Sequence, residues 1–278
     1  MLSFAGAMEG ITDWNQQEFL DYLAAHPEIS SIDREYDPTL FIVYFFFGEG
    51  DKSIFIDSEN KKAYLDSEQF KELLVLAAEF AKAPPDTGDL EGYEKIQDGN
   101  RLGVWIYLNR SAFVSYYDAL VGENINYIGF PGVDGAQHYI MGAYPLTIRA
   151  SAEEWEKQAA MAFMEVLYSH TVQKKMTDSG NAYFAARKDI FERQLAEPDS
   201  EVYFFSKDGG DFAIPVDSDR VSEVILRLSE EAVPLPETTG GLYDILYEEL
   251  PAYFNGEKSL DEVCSILQNR VQLYLNEK

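Results

Sequence analysis

The sequence predicts a helix-rich α/β or α+β fold, and three observations carry that expectation. Long stretches place apolar residues at helical spacing behind recognisable N-terminal caps. The strand-like runs are few, and helices rather than tight turns separate them, which argues against a sandwich. No internal repeat or low-complexity segment breaks the pattern over 278 residues, a length ample for two domains or one large one.

Taken in order, "GITDWNQQEFLDYLAAHPEI" predicts a helix capped by Thr12, with Trp14, Phe19, Leu20 and Leu23 along it, stopping before Pro27. The run "LFIVYFFF" (Leu40 to Phe47) is far short of the roughly 20 apolar residues that span a bilayer and reads as a buried strand. In "SIFIDSENKKAYL", short strand-like pieces flank a polar turn. Ser67 then caps a helix with Phe70, Leu73, Leu74, Ala77 and Phe80 on one face, ended by Pro84 and Pro85. "LEGYEKIQDG" is a short helix, "RLGVWIYL" a strand and "SAFVSYYDALVGE" a helix.

"INYIGFPGVDG" reads as a strand running into a Gly/Pro turn and "YIMGAYPLTIRA" as another strand. Ser151 caps a helix from Glu153 to about Ser169 whose apolar residues include Trp155, Ala159, Phe163, Val166 and Leu167, and a shorter helix ends at Gly180. "AARKDIFERQL" is helical, "EVYFFSKD" extended, and three helices near 217–231, 240–254 and 259–276 close the chain. The last turn is the most fully specified: Asn255-Gly256 suits a left-handed helix end, and Ser259 with Glu262 forms a capping box. Behind it, Leu260, Val263, Cys264, Leu267, Val271 and Tyr274 make one apolar stripe. Breaker residues near Pro131–Gly135 and Gly180–Tyr183 mark candidate domain boundaries.

A formal net charge of -27 makes nucleic-acid phosphate and anionic lipid poor partners for the surface as a whole. The single cysteine, Cys264, excludes an internal disulfide and a thiolate metal cluster. The N-terminal "MLSFAGAMEG" lacks the basic start and apolar run of a signal peptide. His26, His138 and His170 have no partner at helical ligand spacing, and neither a phosphate-cradling loop nor a G-x-S-x-G elbow is present, so zinc and serine hydrolase chemistry are disfavoured. Adjacent carboxylates such as Glu153/Glu154 and Glu248/Glu249 carry no signal in a chain with 49 acids.

Aromatic supply is more informative, because Trp105, Tyr107, Tyr116, Tyr117, Tyr144, Tyr183 and Phe184 gather near strand ends and breakers. Aromatic faces at a cleft stack on flat apolar ligand surfaces, sugar C–H faces included, while Asn and Asp hydrogen-bond hydroxyls. Each ring taken singly is better explained by core packing, and Asn109 can be read as a helix cap before Ser111.

Four stretches, in order, resemble the extracellular solute-binding proteins of bacterial ABC importers, in particular the carbohydrate-binding branch (family 1). They are "SIFIDSENKKAYLDSEQFKELLVLAAEFA", "INYIGFPGVDG", "YPLTIRASAEEWEKQAAMAFMEVLYSHTVQKKM" and "EELPAYFNGEKSLDEVCSILQNRVQLYLNE". The resemblance implies a periplasmic-binding-protein-like two-lobe fold (type II), with the first part of the N-terminal lobe missing from this chain. Residues 11–128 and 181–278 would form the C-terminal lobe, and 129–180 the returning segment of the N-terminal lobe. The closing helices would complete the C-terminal lobe.

The resemblance also implies a site. The strand end "GVWIYLN" would bring Trp105 and Tyr107 to the cleft as stacking rings, with Asn109 as a polar contact; Gly142 and Tyr144 would border it, and Tyr183 and Phe184 would re-enter beside it. The implied function is sugar or oligosaccharide binding without chemistry, and delivery to the transmembrane subunits of an ABC permease. No cofactor and no metal are implied, and the protein is not expected to be an enzyme. The implied location is extracellular, on the cell surface, by a lipoprotein anchor that lies outside this chain. The competing expectations are a truncated structural or interaction module with no role in transport, and, behind it, a glycoside hydrolase using two of the acids.

Overall fold

A strand absent from the sequence-derived order, β1 (Leu2–Gly6), runs through the middle of the main sheet with all five residues buried. The computed structural model that shows this describes residues 1–33, 36–83, 86, 91–109, 112–122, 125–140, 146–178, 184–197, 201–205, 211–235 and 240–278. After β1 come α1 (Gln16–Ala25), α2 (Pro38–Phe46), the small hairpin β2 (Ile56–Asp57) and β3 (Lys62–Ala63), α3 (Glu68–Phe80) and α4 (Glu91–Gln97). The chain continues through β4 (Val104–Tyr107), α5 (Phe113–Val121), β5 (Asn126–Tyr127), β6 (Phe130–Pro131), β7 (Ala136–Gln137) and β8 (Tyr139–Ile140). It then forms α6 (Glu154–Leu167), α7 (His170–Asp178), α8 (Lys188–Ala196), the hairpin β9 (Glu201–Phe205) and β10 (Asp211–Pro215), and α9 (Ser218–Glu231). Strand β11 (Val233–Pro234) precedes the closing pair α10 (Leu242–Phe254) and α11 (Leu260–Glu277).

Strand β1 pairs antiparallel with β4 on one edge, Phe4 opposite Trp105 and Ala5 opposite Val104. On its other edge it pairs with β5 and then β8, and β11 adds parallel to β8. Alternation along paired strands sends Leu2, Phe4, Trp105 and Tyr107 to one face and Ala5, Val104 and Ile106 to the other. Each face has its own core. Phe4 packs on Phe45 and Phe130 in one core with Phe19 and Phe41 of α1 and α2, while Ala5, Val104 and Ile106 share a second core with the apolar sides of α5 and α9. Close approach at the centre requires glycine: a Cβ on Gly103 would lie 2.2 Å from the Ala5 carbonyl oxygen and 2.6 Å from the Phe4 ring.

The run at 40–47 forms most of helix α2, not the expected strand. Asp37 accepts the Leu40 N–H at 2.8 Å as N-cap, and Pro38 occupies the first turn, where its missing N–H costs nothing. The helix is apolar on nearly every side because β1 and β6 cover one flank and α3 and α10 others, so no amphipathic period marks it. Two caps also move. Asn15 with Glu18, not Thr12, forms the capping box of α1, and Glu153 with Glu156, not Ser151, that of α6. The strand expected over 139–150 is described only as Tyr139–Ile140, and residues 146–149 have no regular secondary structure.

The closing helices behave as their grammar says. Gly256 has φ 73°, Ser259 and Glu262 form the capping box, and Val263, Cys264, Leu267 and Val271 are buried. Helix α10 packs on α2, and α11 on α3 and β3, where Gln268 and Gln272 exchange hydrogen bonds with the backbone of residues 61–65. Glu249, almost buried, ties the pair together by accepting from Lys258 and Arg270 at 2.6 Å each. Its carboxyl is held below the usual range first by the Lys258 hydrogen bond and then, against burial, by Arg270.

Residues 129–140 belong to the main body: Phe130 and Tyr139 are buried in the same core as Phe4. Helix α6 is different. None of its residues is buried, and Trp155, Met161, Phe163 and Val166 are each more than half exposed, so the apolar content expected to pack lies open.

Candidate functional site

The candidate site forms where β4 leaves the aromatic core. Phe4, opposite Trp105, sits deep between β6 and α2, and Trp105 stands one step further out. The Trp105 ring packs edge-on against Tyr44 and Phe130 at 5.1 and 5.2 Å, with Phe45 at 6.0 Å, leaving one side toward a cavity. Two residues on, Tyr107 shares that face and is half exposed. Core packing fixes the tryptophan's back, so its orientation is set before any ligand arrives.

The cavity encloses about 300 Å³, at the small end of the range for small-molecule pockets. Strand β4 supplies Trp105, Tyr107 and Val104; α4 supplies Tyr93, and α5 supplies Tyr117. The remaining wall is the segment entering α2, with Asp33, Tyr36, Asp37 and Leu40.

That wall is held by a short parallel pairing. Leu102 and Gly103 donate their N–H groups to the Ser31 and Ile32 carbonyls at 3.0 and 3.1 Å. The buried Arg101 donates from Nε to Ser31 Oγ at 3.0 Å, and through both terminal nitrogens to Asp86 at 2.9 and 3.0 Å. Burial pushes the Asp86 carboxyl up, but Arg101 and Lys95 together outweigh it and hold it below the carboxylate range. Anchored this way, the chain delivers the nearly buried Asp33 so that its Oδ1 accepts the Trp105 N–H at 3.3 Å. Asp37 is the α2 cap, so both carboxylates are fixed by backbone donors.

Tyr117 and Tyr36 stay neutral. Burial pushes Tyr117 well above its ordinary value, with Tyr93, Asp33 and Tyr107 adding to the rise, and burial followed by the Asp37 charge does the same for Tyr36. Tyr36 donates its hydroxyl to the Ala77 carbonyl at 3.0 Å, which holds its ring upright in the wall. The result is five aromatic faces, two carboxylate acceptors and no histidine, cysteine or lysine among the described lining residues. Such a set can stack on and hydrogen-bond a polyhydroxylated ring. No group of three or more metal-ligating side chains occurs among the described residues, and no described helix is long and apolar enough to cross a membrane.

Of the residues expected from the sequence, the structure brings Trp105 and Tyr107 together at this cavity. Asn109 lies past the end of β4, outside the described lining; its Oδ1 is buried without a partner, and Ala112, not Asn109, is the N-cap of α5. Phe184 packs on Phe191 at 5.4 Å beside α8, away from the cavity lining. Gly142, Tyr144 and Tyr183 lie outside the described residues. Asp33, Tyr36, Asp37 and Tyr93 were not singled out by sequence. The Asp37-Pro38 helix start was the one local signal that a wall begins there.

No family model matches the chain, and a search of curated proteins finds no match. Solved structures do match over nearly its whole length. The sugar-binding protein MalE from Xanthomonas citri superposes with a TM-score of 0.50 at 13% identity, covering 99% of this chain and 69% of that one. A solute-binding protein of an ABC transporter from Agrobacterium radiobacter, in complex with ribitol, gives 0.49 at 14% identity, covering 98% and 69%. A Streptococcus pneumoniae solute-binding protein in complex with the blood group A-trisaccharide gives 0.48 at 12% identity, again covering 98% and 69%. At 13% identity the likeness to the first of these is one of fold: the chain shares its α/β architecture, in keeping with the fold class expected from the sequence.

Proposed function

We propose that this protein is the solute-binding subunit of an ABC importer and takes a carbohydrate in the cavity beside β4, without catalysing any reaction. The observation that carries the reading is the convergence of Trp105 and Tyr107 with Tyr36, Tyr93 and Tyr117 around one small cavity that also offers two carboxylates. Flat rings with acceptor groups suit sugar C–H faces and hydroxyls. The fold is shared with a sugar-binding protein, which agrees with that chemistry.

In this reading residues 11–128 and 181–278 make one lobe, joined by β1, and 129–180 is the segment returning from the other lobe, of which 129–140 remains packed on the first. Ligand closes the two lobes, and the closed state is the one that docks on the permease, so binding and delivery are coupled through a hinge. The location is extracellular, at the membrane through a lipid anchor and the permease. Asn109, Gly142, Tyr144, Tyr183 and Phe184 are proposed to join the site as the lobes close.

The test is calorimetric titration of the full chain with mono- and oligosaccharides, with intrinsic fluorescence as a second readout. Of the three tryptophans, Trp14 is buried in the core, Trp155 lies on the exposed α6, and Trp105 alone faces the cavity. A saccharide that binds should therefore change emission in the parent and not in Trp105→Phe. Absence of binding across neutral, basic and acidic sugars would overturn the proposal.

A further inference from the structure

The cavity lies across the seam between the two cores. Tyr93, Tyr117 and Val104 belong with the core of α5 and α9, whereas Tyr36 and Trp105 pack against the core of α1 and α2. The α4 wall and the 33–40 wall therefore hang on different packing. Walls packed separately keep a fixed spacing only where further contacts tie them together. The β1–β4 pair joins the two cores at the sheet.

A further tie lies behind the cavity, outside its described lining. Asp86, whose side chain is 7% exposed, accepts from Lys95 Nζ on α4 at 2.8 Å. The same carboxylate accepts from both terminal nitrogens of Arg101, at 2.9 and 3.0 Å. Arg101 in turn donates from Nε to Ser31 Oγ, and Leu102 and Gly103 donate their N–H groups to the Ser31 and Ile32 carbonyls. One carboxylate thus links the helix that carries Tyr93 to the segment that carries Asp33 and Tyr36. Arg101 is almost fully buried, so its two-pronged pair acts where water screens poorly and fixes direction as well as distance.

We infer that Asp86 is a positioning residue of this site: from behind the lining it sets the spacing at which the α4 wall and the 33–40 wall face Trp105, and with it the affinity for ligand. The inference rests on the reading of this cavity as the binding site and adds how its width is set. A space of about 300 Å³ has little slack, so freeing either wall leaves rings to be ordered again when ligand arrives. Ordering one such side chain costs about two- to twelvefold in affinity.

The test reads the walls first without ligand, on the full chain. In a Trp155→Phe background the exposed tryptophan is gone and Trp14 is buried, so acrylamide quenching reports Trp105. Lys95→Met keeps an apolar stem on α4 and gives up the bond to Asp86, Lys95→Arg keeps stem and charge, and Asp86→Asn removes the acceptor charge. Quenching of Trp105 should steepen in Lys95→Met and Asp86→Asn and match the parent in Lys95→Arg. Circular dichroism and thermal melts establish that each variant is folded. Asp86→Asn leaves the buried Arg101 without its counter-ion and is the variant most at risk of not folding, so the lysine pair decides.

Calorimetry with maltose, glucosamine and glucuronic acid, as neutral, basic and acidic probes, then gives affinity. A probe that binds the parent should bind Lys95→Met about two- to twelvefold more weakly and Lys95→Arg as the parent. Trp105 quenching in folded Lys95→Met equal to that of the parent overturns the inference. So does a loss of affinity that is the same in Lys95→Met and Lys95→Arg. Steeper quenching in a chain that binds none of the three probes leaves the wall-setting role standing and overturns the carbohydrate reading.

Discussion

Replacing Trp105 and Tyr107 separately distinguishes a binding wall from a piece of core. Trp105 carries three ring contacts, to Tyr44, Phe45 and Phe130. Each such pair contributes about 0.5–1.5 kcal/mol beyond its area, and removing a large buried aromatic costs about 3–5 kcal/mol in all. Because one side of the ring faces the cavity, Trp105→Ala should lose about 2–4 kcal/mol of stability. It should also weaken ligand binding by about 1–3 kcal/mol, a factor of roughly 5 to 150. Tyr107 is 51% exposed, so Tyr107→Ala should leave stability within about 1 kcal/mol while still weakening the ligand several-fold. Urea unfolding gives the first quantity and calorimetry the second, on the same preparations. The refuting pattern is specific: Tyr107→Ala binds as the parent does, and the binding loss in Trp105→Ala only tracks its unfolded fraction. Trp105 would then be a core residue that happens to border a hollow.

Other parts of the molecule give independent checks. His138 is buried against Ser3 Oγ at 2.7 Å, with Glu231 at 3.5 Å and Arg227 and Asp13 acting on it; burial first, and Arg227 next, push its pKa down to about 4. Its neutral form is the native one, so the unfolded chain takes the proton first, and stability should fall from about pH 6.5 toward pH 4 by roughly 3 kcal/mol. His138→Asn should flatten that part of the profile, and an NMR titration of His138 near its ordinary pKa would sink the idea. Glu249→Gln removes the charged acceptor shared by Lys258 and Arg270, which remain partly exposed, and should cost about 1–2 kcal/mol in urea melts. The Glu249 carboxyl is depressed, so its contribution is present above the ordinary glutamate pKa and is lost as pH falls through the lowered value. Trp155→Glu on α6, where the ring is 69% exposed, should change the stability of the chain by less than about 0.5 kcal/mol; a larger loss would mean that α6 packs in solution.

The parts of the fold legible in sequence are those whose information is local. Ser67, Ser259-Glu262 and Gly256 state helix ends within four residues, and the stripes behind them run at one clear period. What could not be read is set by distant partners. Leu2–Gly6 looks like an unremarkable start, and it becomes the central strand only because β4, β5 and β8 arrive from over a hundred residues away to pair with it. Pro38–Phe46 carries no period because it is surrounded, and a buried helix and a buried strand then share one composition. Trp105 and Tyr107 are legible through the resemblance of "GVWIYLN" to a cleft-lining strand, since each ring taken alone reads as core. Asp33 and Tyr36 were not, because a cavity wall built from a loop leaves no periodic trace.

The two cores on either face of β1 and β4 explain why the cavity sits where it does. Val104 and Ile106 are locked against α5 and α9, while Phe4 and Trp105 are locked against α2 and β6. The strand between them therefore has little freedom to rotate, and Tyr107 at its end inherits that rigidity without itself being buried. Gly103 is where the arrangement is tightest, since the strand must approach Ala5 without a side chain in the way. Gly103→Ala drives a methyl into the Ala5 carbonyl and the Phe4 ring, and backbone on one side and a packed ring on the other leave it nowhere to go. The cost should reach the upper end of the roughly 1–3 kcal/mol typical of overpacking. Because β4 would be displaced, ligand affinity should fall in the fraction that stays folded, although Gly103 is not among the described residues lining the cavity. A Gly103→Ala protein that melts and binds as the parent does would show that strand placement does not set the site.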